Sequence, residues 1–379
     1  MAHAGVRTSR LPLRVPCKKA LNGSYKTARY TLQVTELPNG TYYLKNKQTE
    51  RNADIENQSM SDGTQIHQWE FHGGKSQRWE FRHLGDGYYS VKSDNASTPY
   101  YLGVSGDSSA YDAAVVLRTG SLTSGMKWKI SVTQSGAYKI TPRTGEANNR
   151  VLAIGAYQTN MDGINIQQRN YVEDENFKDE WLLHEFRDYT LMYIGYIVGD
   201  PLMPPIVDAV SSALTNKAGM DGYGYTSLTT KELRVHLAST TIFSCITHGE
   251  PTKLVTSGGY LDVSDINSLG DDAFDHLKFV YLGACQTGEG RDNATNLVNA
   301  IYSKGADAVL GFTTNVKVKE TNLWTREFML ALADGETLFD AMSAADDAVQ
   351  ADVDLSGKPL TTTSDYRYLK GSAQMAPCN

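Results

Sequence analysis

Three tryptophans at near-equal intervals constrain this chain more than any other feature: Trp79, Trp128 and Trp181, 49 and 53 residues apart. Each closes a segment that opens on a glycine followed by tyrosines or an alanine–tyrosine pair. The first runs from GTYY at 40–43 to QRWEF at 77–81, the second from DGYY at 86–89 to MKWKI at 126–130, and the third from SGAY at 135–138 to DEWLL at 179–183. Within each lie short alternating runs (TYYLKN, YYSVKS, AYKITP) broken by Gly, Asn, Asp and Ser, the pattern of strands joined by tight turns. A unit of about 45 residues cannot bury its own apolar face, whereas three units around a pseudo-threefold axis can, each giving one large aromatic to a shared core.

The tryptophan spacing resembles the QxW repeat of the ricin B-type β-trefoil lectins, with the literal motif present only at Gln77 and Trp79. The resemblance implies an all-β trefoil over about 145 residues and, with it, carbohydrate binding. Galactose-type pockets in that family use an Asp for two sugar hydroxyls, an aromatic platform for the apolar ring face, and polar residues just before the QxW. A sugar offers flat C–H patches and paired hydroxyls, so stacking with bidentate acceptance suits it. The first unit matches at Asp54, Trp69 and Gln77, with His67 and Ser76 where Gln and Asn are commoner. In the second and third units no acid stands near Leu102 or Leu152, and Arg118 and Arg169 fall at the platform position. One pocket, in unit one, is expected. The alternative for its residues is structural, with Trp69 a half-exposed packing residue and Asp54 the cap of a turn.

After residue 186 the rhythm changes. Apolar runs of strand length occur at 191–198, 241–247, 278–284 and 308–312, separated by helical patterns at 205–216, 230–238, 294–304, 321–333 and 338–349. Buried strands alternating with amphipathic helices imply a mainly parallel sheet covered on both faces. Ligands and reactive groups in such sheets collect beyond the carboxyl ends of the strands. One strand there ends in His248-Gly249-Glu250 and the next in Ala284-Cys285-Gln286-Thr287-Gly288, 37 residues from histidine to cysteine. A thiolate nucleophile needs an imidazole nearby, and a glycine beside the pair lets backbone N–H groups approach a carbonyl oxygen.

This pair resembles the caspase-like cysteine peptidases, the clan of caspases, gingipains, clostripain, separase and the CHAT domains, and the text after Cys285 reads most like the CHAT and gingipain-type members. The resemblance implies an α/β three-layer fold over residues 190–350 and a cysteine endopeptidase. Cys285 would be the nucleophile and His248 would protonate the leaving amine or polarise the bond, with the Gly249 and Cys285 amides as oxyanion hole. Where clostripain-like relatives carry an Asp selecting a basic P1 residue, this chain has Gly283. Acidic walls for a Lys or Arg could come instead from Glu250, Glu289, Asp292 or Asp262. Cys245 lies three positions before His248, on the opposite strand face, and reads as core; His236, within a helical pattern, reads as surface or packing.

Two domains follow: an extension at 1–37, a trefoil at 38–186 and a caspase-like domain at 187–379. Residues 1–186 carry 22 Lys and Arg against 19 Asp and Glu, while residues 187–379 carry 14 against 24, so no surface is basic enough for nucleic acid. No run of about 20 apolar residues exists to span a bilayer. The four scattered cysteines form neither a disulfide framework nor a zinc motif. No apolar core follows the first basic residues, which favours cytoplasmic synthesis or export by a route without a signal peptide. The expected partners are glycans or glycoproteins and a peptide or protein substrate. No cofactor is named by the sequence, and a calcium requirement is not derivable from it. A lectin fused to a peptidase would suit a defence or toxin protein; the competing reading is a galactose-type lectin whose second domain is a non-catalytic platform.

Overall fold

The computed structural model describes residues 36–95, 98–155, 160–172, 179–186, 189–194, 209–210, 212–213, 221–225, 227–291, 295–352 and 367–378. Residues 1–35 of the expected 1–37 extension and most of the expected 205–216 helix lie outside them.

Among the described residues of the N-terminal region twelve strands form, four to a repeat. Unit one contributes β1 (Gly40–Asn46), β2 (Asn52–Ile55), β3 (Ile66–Trp69) and β4 (Arg78–His83). Unit two contributes β5 (Tyr89–Ser93), β6 (Tyr101–Val104), β7 (Val115–Arg118) and β8 (Trp128–Val132). Unit three contributes β9 (Tyr138–Pro142), β10 (Arg150–Ile154), β11 (Ile164–Asn170) and β12 (Trp181–Phe186). The first and last strands of the units pair antiparallel in a ring, β1–β4–β5–β8–β9–β12 and back to β1, so the barrel has no free edge. The middle strands of each unit form a hairpin beside it. All three repeat tryptophans are fully buried. Each indole N–H donates to the same place in its own hairpin, the carbonyls of Ala53, Leu102 and Leu152, at 3.1, 2.9 and 2.9 Å. The repeat in the sequence is thus a repeated buried hydrogen bond. The region is a β-trefoil-like barrel.

The C-terminal region is built on a sheet ordered β14 (Asp221–Tyr225), β13 (Tyr189–Ile194), β15 (Ile242–Ile246), β19 (Phe279–Gly283), β20 (Ala308–Phe312) and β21 (Arg367–Gly371). All neighbours are parallel except β21, which runs antiparallel at the edge. A small antiparallel sheet of β16 (Gly249–Glu250), β17 (Lys253–Thr256) and β18 (Gly259–Asp262) follows β15. Strand alternation sorts side chains into two cores. Ile242, Ile246, Phe279, Tyr281, Leu310 and Phe312 face α4 (Val318–Ala333) and α5 (Leu338–Ala351). Phe243, Cys245, Val280, Leu282 and Val309 face α1 (Thr230–Leu237), α2 (Val263–Asn267) and α3 (Leu297–Ser303). Helices thus cover both sheet faces, and Cys245 is core, its thiol pushed up to about 12 by burial.

The trefoil touches this domain through unit one and through β12 of unit three. Tyr43 alternates out of the barrel, its hydroxyl donating to the carbonyls of Gly73 and Ala238, both at 2.9 Å. Arg78, 1% exposed, lies between the two halves with Asp275. His184 of β12 bonds Ser239 at 2.9 Å and packs its ring 5.5 Å from His236 on α1. Burial pushes the His236 imidazole down to about 4, and burial also lowers His276 at the same junction. Both groups therefore bind a proton more readily unfolded than folded. Acidification from the unfolded value near 6.5 towards 4 should cost on the order of 2 kcal/mol, with no such loss between pH 7 and 8. Urea midpoints across that range check this, and His236→Gln should flatten the slope.

Candidate functional site

The outward face of the β2–β3 hairpin carries Asp54, His67 and Trp69, because Ala53, Ile55 and Ile66 alternate inward to the barrel core. Trp69 is 40% exposed and stacks on the buried His67 ring, 5.2 Å between centroids at 25°. Asp54 is buried, and its Oδ2 accepts from Gln77 Nε2 at 3.0 Å and His72 Nε2 at 2.8 Å. Gln77 is fixed in turn, its Oε1 accepting from the His72 and Gly73 amides and its Nε2 also reaching the Glu70 carbonyl. Ser76 Oγ sits 3.5 Å from His72 Nε2. Asp54, Ser76 and Gln77 thus meet at a further residue, His72, while His67 lies opposite Asp54 on the hairpin and stacks on Trp69.

No spacing rule pointed to His72, which reaches Asp54 only because residues 70–77 fold back over the hairpin. Its tautomer follows from its partners. The Gly74 amide donates to Nδ1 at 3.1 Å, so Nε2 carries the proton and donates to Asp54. With Oδ2 doubly engaged, Oδ1 is the acceptor left to a ligand. A carboxyl group beside a half-exposed indole suits a ring with paired hydroxyls on one edge and C–H groups on a face.

Units two and three lack this arrangement. The hairpin position of Asp54 is Gly103 in one and Ala153 in the other, that of Trp69 is Arg118 and Arg169, and that of Gln77 is Met126 and Asp179. A Cβ at Gly103 would lie 2.8 Å from Arg118 Cγ and 3.0 Å from Met126 Cγ, so side chains fill the second unit's site. Arg169 is bound to Asp112 at 2.6 Å in the third.

The second site lies beyond β15 and β19. Their parallel register pairs Ile246 with Gly283, and the Thr247 amide continues it by donating to the Gly283 carbonyl at 3.3 Å. His248 and Cys285 therefore stand two residues past matched positions on adjacent strands. Gly249 explains why a glycine follows the histidine. A Cβ there would be 2.8 Å from Ala284 Cβ and 3.1 Å from the Cys285 carbonyl oxygen. Gly249→Ala should overpack this contact and cost about 1–3 kcal/mol in urea denaturation.

His248 is exposed, its carbonyl tied to the Val255 amide at 2.9 Å, and Cys285 is partly exposed. The Val316 amide donates to Cys285 Sγ at 3.4 Å, and the thiol faces the Val316 carbonyl at 3.8 Å. Gln286, at φ 59°, turns the chain sharply after the thiol and donates its amide to the Thr314 carbonyl at 3.0 Å. Among the described residues no hydrogen bond joins His248 to Cys285. Burial pushes the other two described thiols up, Cys378 to about 11 and Cys245 to about 12.

The acidic residues disperse. Glu250 pairs with Lys253 at 3.2 Å and Glu289 accepts from Gln286 at 3.1 Å, both on the surface next to the pair. Asp262 caps α2 in a capping box, its carboxyl held low first by the Ser264 hydroxyl, so it is occupied in structure. Asp292 lies outside the described residues.

Two family models match separate parts of the chain: a ricin-type beta-trefoil lectin domain-like family over residues 26–118 and 75–169, and the CHAT domain, of the caspase-like peptidase clan, over 226–361. The chain thus carries a ricin-type trefoil lectin-like domain and a CHAT domain. No curated protein matches it. Similar solved structures include a designed threefold-symmetric protein, ThreeFoil, at 28% identity over 38% of this chain and 97% of that one, TM-score 0.35. The Rhizoctonia solani agglutinin is 22% identical over 40% and 98%, TM-score 0.35. The Polyporus squamosus lectin bound to Neu5Acα2-6Galβ1-4GlcNAc is 14% identical over 54% and 69%, TM-score 0.36. No helix among the described residues is long and apolar enough to cross a membrane.

Proposed function

We propose that the chain is a cysteine endopeptidase brought to its substrates by a glycan-binding trefoil. The observation that carries the reading is the placement of His248 and Cys285 at matched distances past paired parallel strands, with Gly249 against the Cys285 carbonyl. In this reading Cys285 Sγ attacks the scissile carbonyl and an acyl-enzyme forms as the amine leaves with a proton from His248. The Gly249 and Cys285 amides receive the developing oxyanion, and water then releases the acid. Glu250 and Glu289 flank the pair and favour a basic P1 side chain. The trefoil holds glycans through Asp54, His67, Trp69, Ser76 and Gln77. A weak surface interaction on the same chain raises the local substrate concentration, which fits a defence or toxin role.

A positional-scanning peptide library, with wild type beside Cys285→Ala and with and without calcium, tests this. Cleavage after Lys or Arg that disappears in the variant supports the whole reading. Cleavage after other residues removes the basic P1 assignment alone. The second reading is a lectin with an inert platform, favoured by Val316 occupying the thiol and by the unlinked His248. Absence of cleavage by wild type, intact or nicked by a protease, would establish it.

A further inference from the structure

The wall of the unit-one pocket is held from outside the trefoil. Residues 70–77 supply His72, Ser76 and Gln77, and the α/β domain binds the backbone of that segment at three points. The Gly270 amide donates to the His72 carbonyl at 2.7 Å, Arg234 Nη2 donates to the Phe71 carbonyl at 3.1 Å, and Asp272 Oδ2 accepts from the Lys75 amide at 3.2 Å. Lys75 begins the one-turn 3-10 helix Lys75–Gln77 that delivers Gln77 to Asp54.

Unit two shows what this replaces. Its corresponding turn, Ser124–Met126, is held by a carboxylate of its own unit: Asp107 Oδ1 accepts from the Gly125 amide at 2.9 Å. Asp107 is the third residue of the 3-10 turn after β6; the third residue of the matching turn in unit one is Gln58, exposed and without a carboxylate. Asp272, from the other domain, instead holds the unit-one turn, accepting from its first amide, one residue before the amide that Asp107 binds in unit two. Of the two turns described, the one in the unit that keeps the Asp, Trp and Gln of a sugar pocket is thus the one fixed by the α/β domain.

We infer that the α/β domain is a working part of the sugar pocket, with Asp272 as a positioning residue for Gln77 and His72. This rests on the glycan reading of that pocket. The test is calorimetric titration of lactose into the full chain. Asp54→Ala should abolish binding. Asp272→Ala should weaken it about tenfold or more, the loss expected for a charge-assisted hydrogen bond. Asp272→Asn should restore it to within about threefold, because its amide oxygen can accept from the Lys75 amide. Lys231→Ala, which breaks a different ion pair between the domains, Lys231 with Glu50 at 2.8 Å, should leave affinity unchanged. A general weakening of the junction would not produce this pattern. Should Asp272→Ala fail to fold, Asp272→Glu keeps the charge, displaces the carboxylate by one methylene and should weaken lactose comparably. Wild-type affinity in a folded Asp272→Ala or Asp272→Glu overturns the inference and leaves the glycan reading standing. No lactose binding by wild type overturns the glycan reading itself, and this inference with it.

Discussion

Cys285→Ala is expected to remove peptide cleavage, by at least about a thousandfold in kcat/KM, with little change in stability. The stability half follows from the surroundings of the thiol. Cys285 is partly exposed, and its Sγ makes one amide contact, from Val316, so truncation strands one N–H that water can reach. The activity half follows from the absence of a substitute, because the other described thiols, Cys245 and Cys378, belong to the cores and burial holds both protonated. His248→Ala should also be severe, and the double variant should be little worse than either single one, since residues that act in one step are not additive. Its exposed ring predicts an unchanged melting temperature. Peptide cleavage that survives in Cys285→Ala would remove the dyad assignment, however well the protein folds.

The parts of this architecture legible in the sequence are those set by local pattern. The tryptophans give the threefold repeat because each makes the same bond within its own unit. Alternation along 241–248 put Cys245 in the core and His248 beyond the strand end, since a period of two permits no other assignment. Asp54, Trp69 and Gln77 were legible as a motif. His72 was not, because its meeting with Asp54 depends on a chain reversal that has no periodicity. The β16–β18 hairpin and the antiparallel β21 were missed for a similar reason, being short and half polar. Arg78, between the Gln and Trp of the repeat, reads as an ordinary surface position; only the docking of a second domain buries it.

Arg78→Ala is expected to be the most destabilising substitution at that junction, by about 3–5 kcal/mol in urea denaturation, because it removes one partner of a buried ionic network. Arg78 Nη1 donates to Asp275 Oδ1 at 2.7 Å, and Nε donates to Tyr43 Oη and the Gly73 carbonyl, both at 3.1 Å. Nη2 donates to the carbonyls of Gly73, Asp272 and Ala273 at 2.9, 2.8 and 3.1 Å, and the guanidinium lies 4.9 Å over the Phe186 ring. Truncation would leave these carbonyls and a carboxylate without the donor that satisfies them. Burial alone would raise Asp275, yet the neighbouring His276 ring, the Lys75 ammonium at 2.7 Å and the charge of Arg78 hold it well below the usual carboxylate range. A depressed carboxyl contributes its stability above the unfolded value near 3.8 and loses it only as pH falls through the lower folded value, so this contribution is complete at pH 7. Arg78→Lys should recover only part of the loss, since one ammonium cannot span the fork that reaches Asp275, Tyr43 and three carbonyls at once. If the guanidinium joins the domains as these contacts require, the wild type unfolds in one transition and Arg78→Ala in two, the trefoil and the sheet domain melting apart. A single transition at the wild-type midpoint would show that apolar packing of Tyr43, Phe71 and Phe186 holds the junction without the charge.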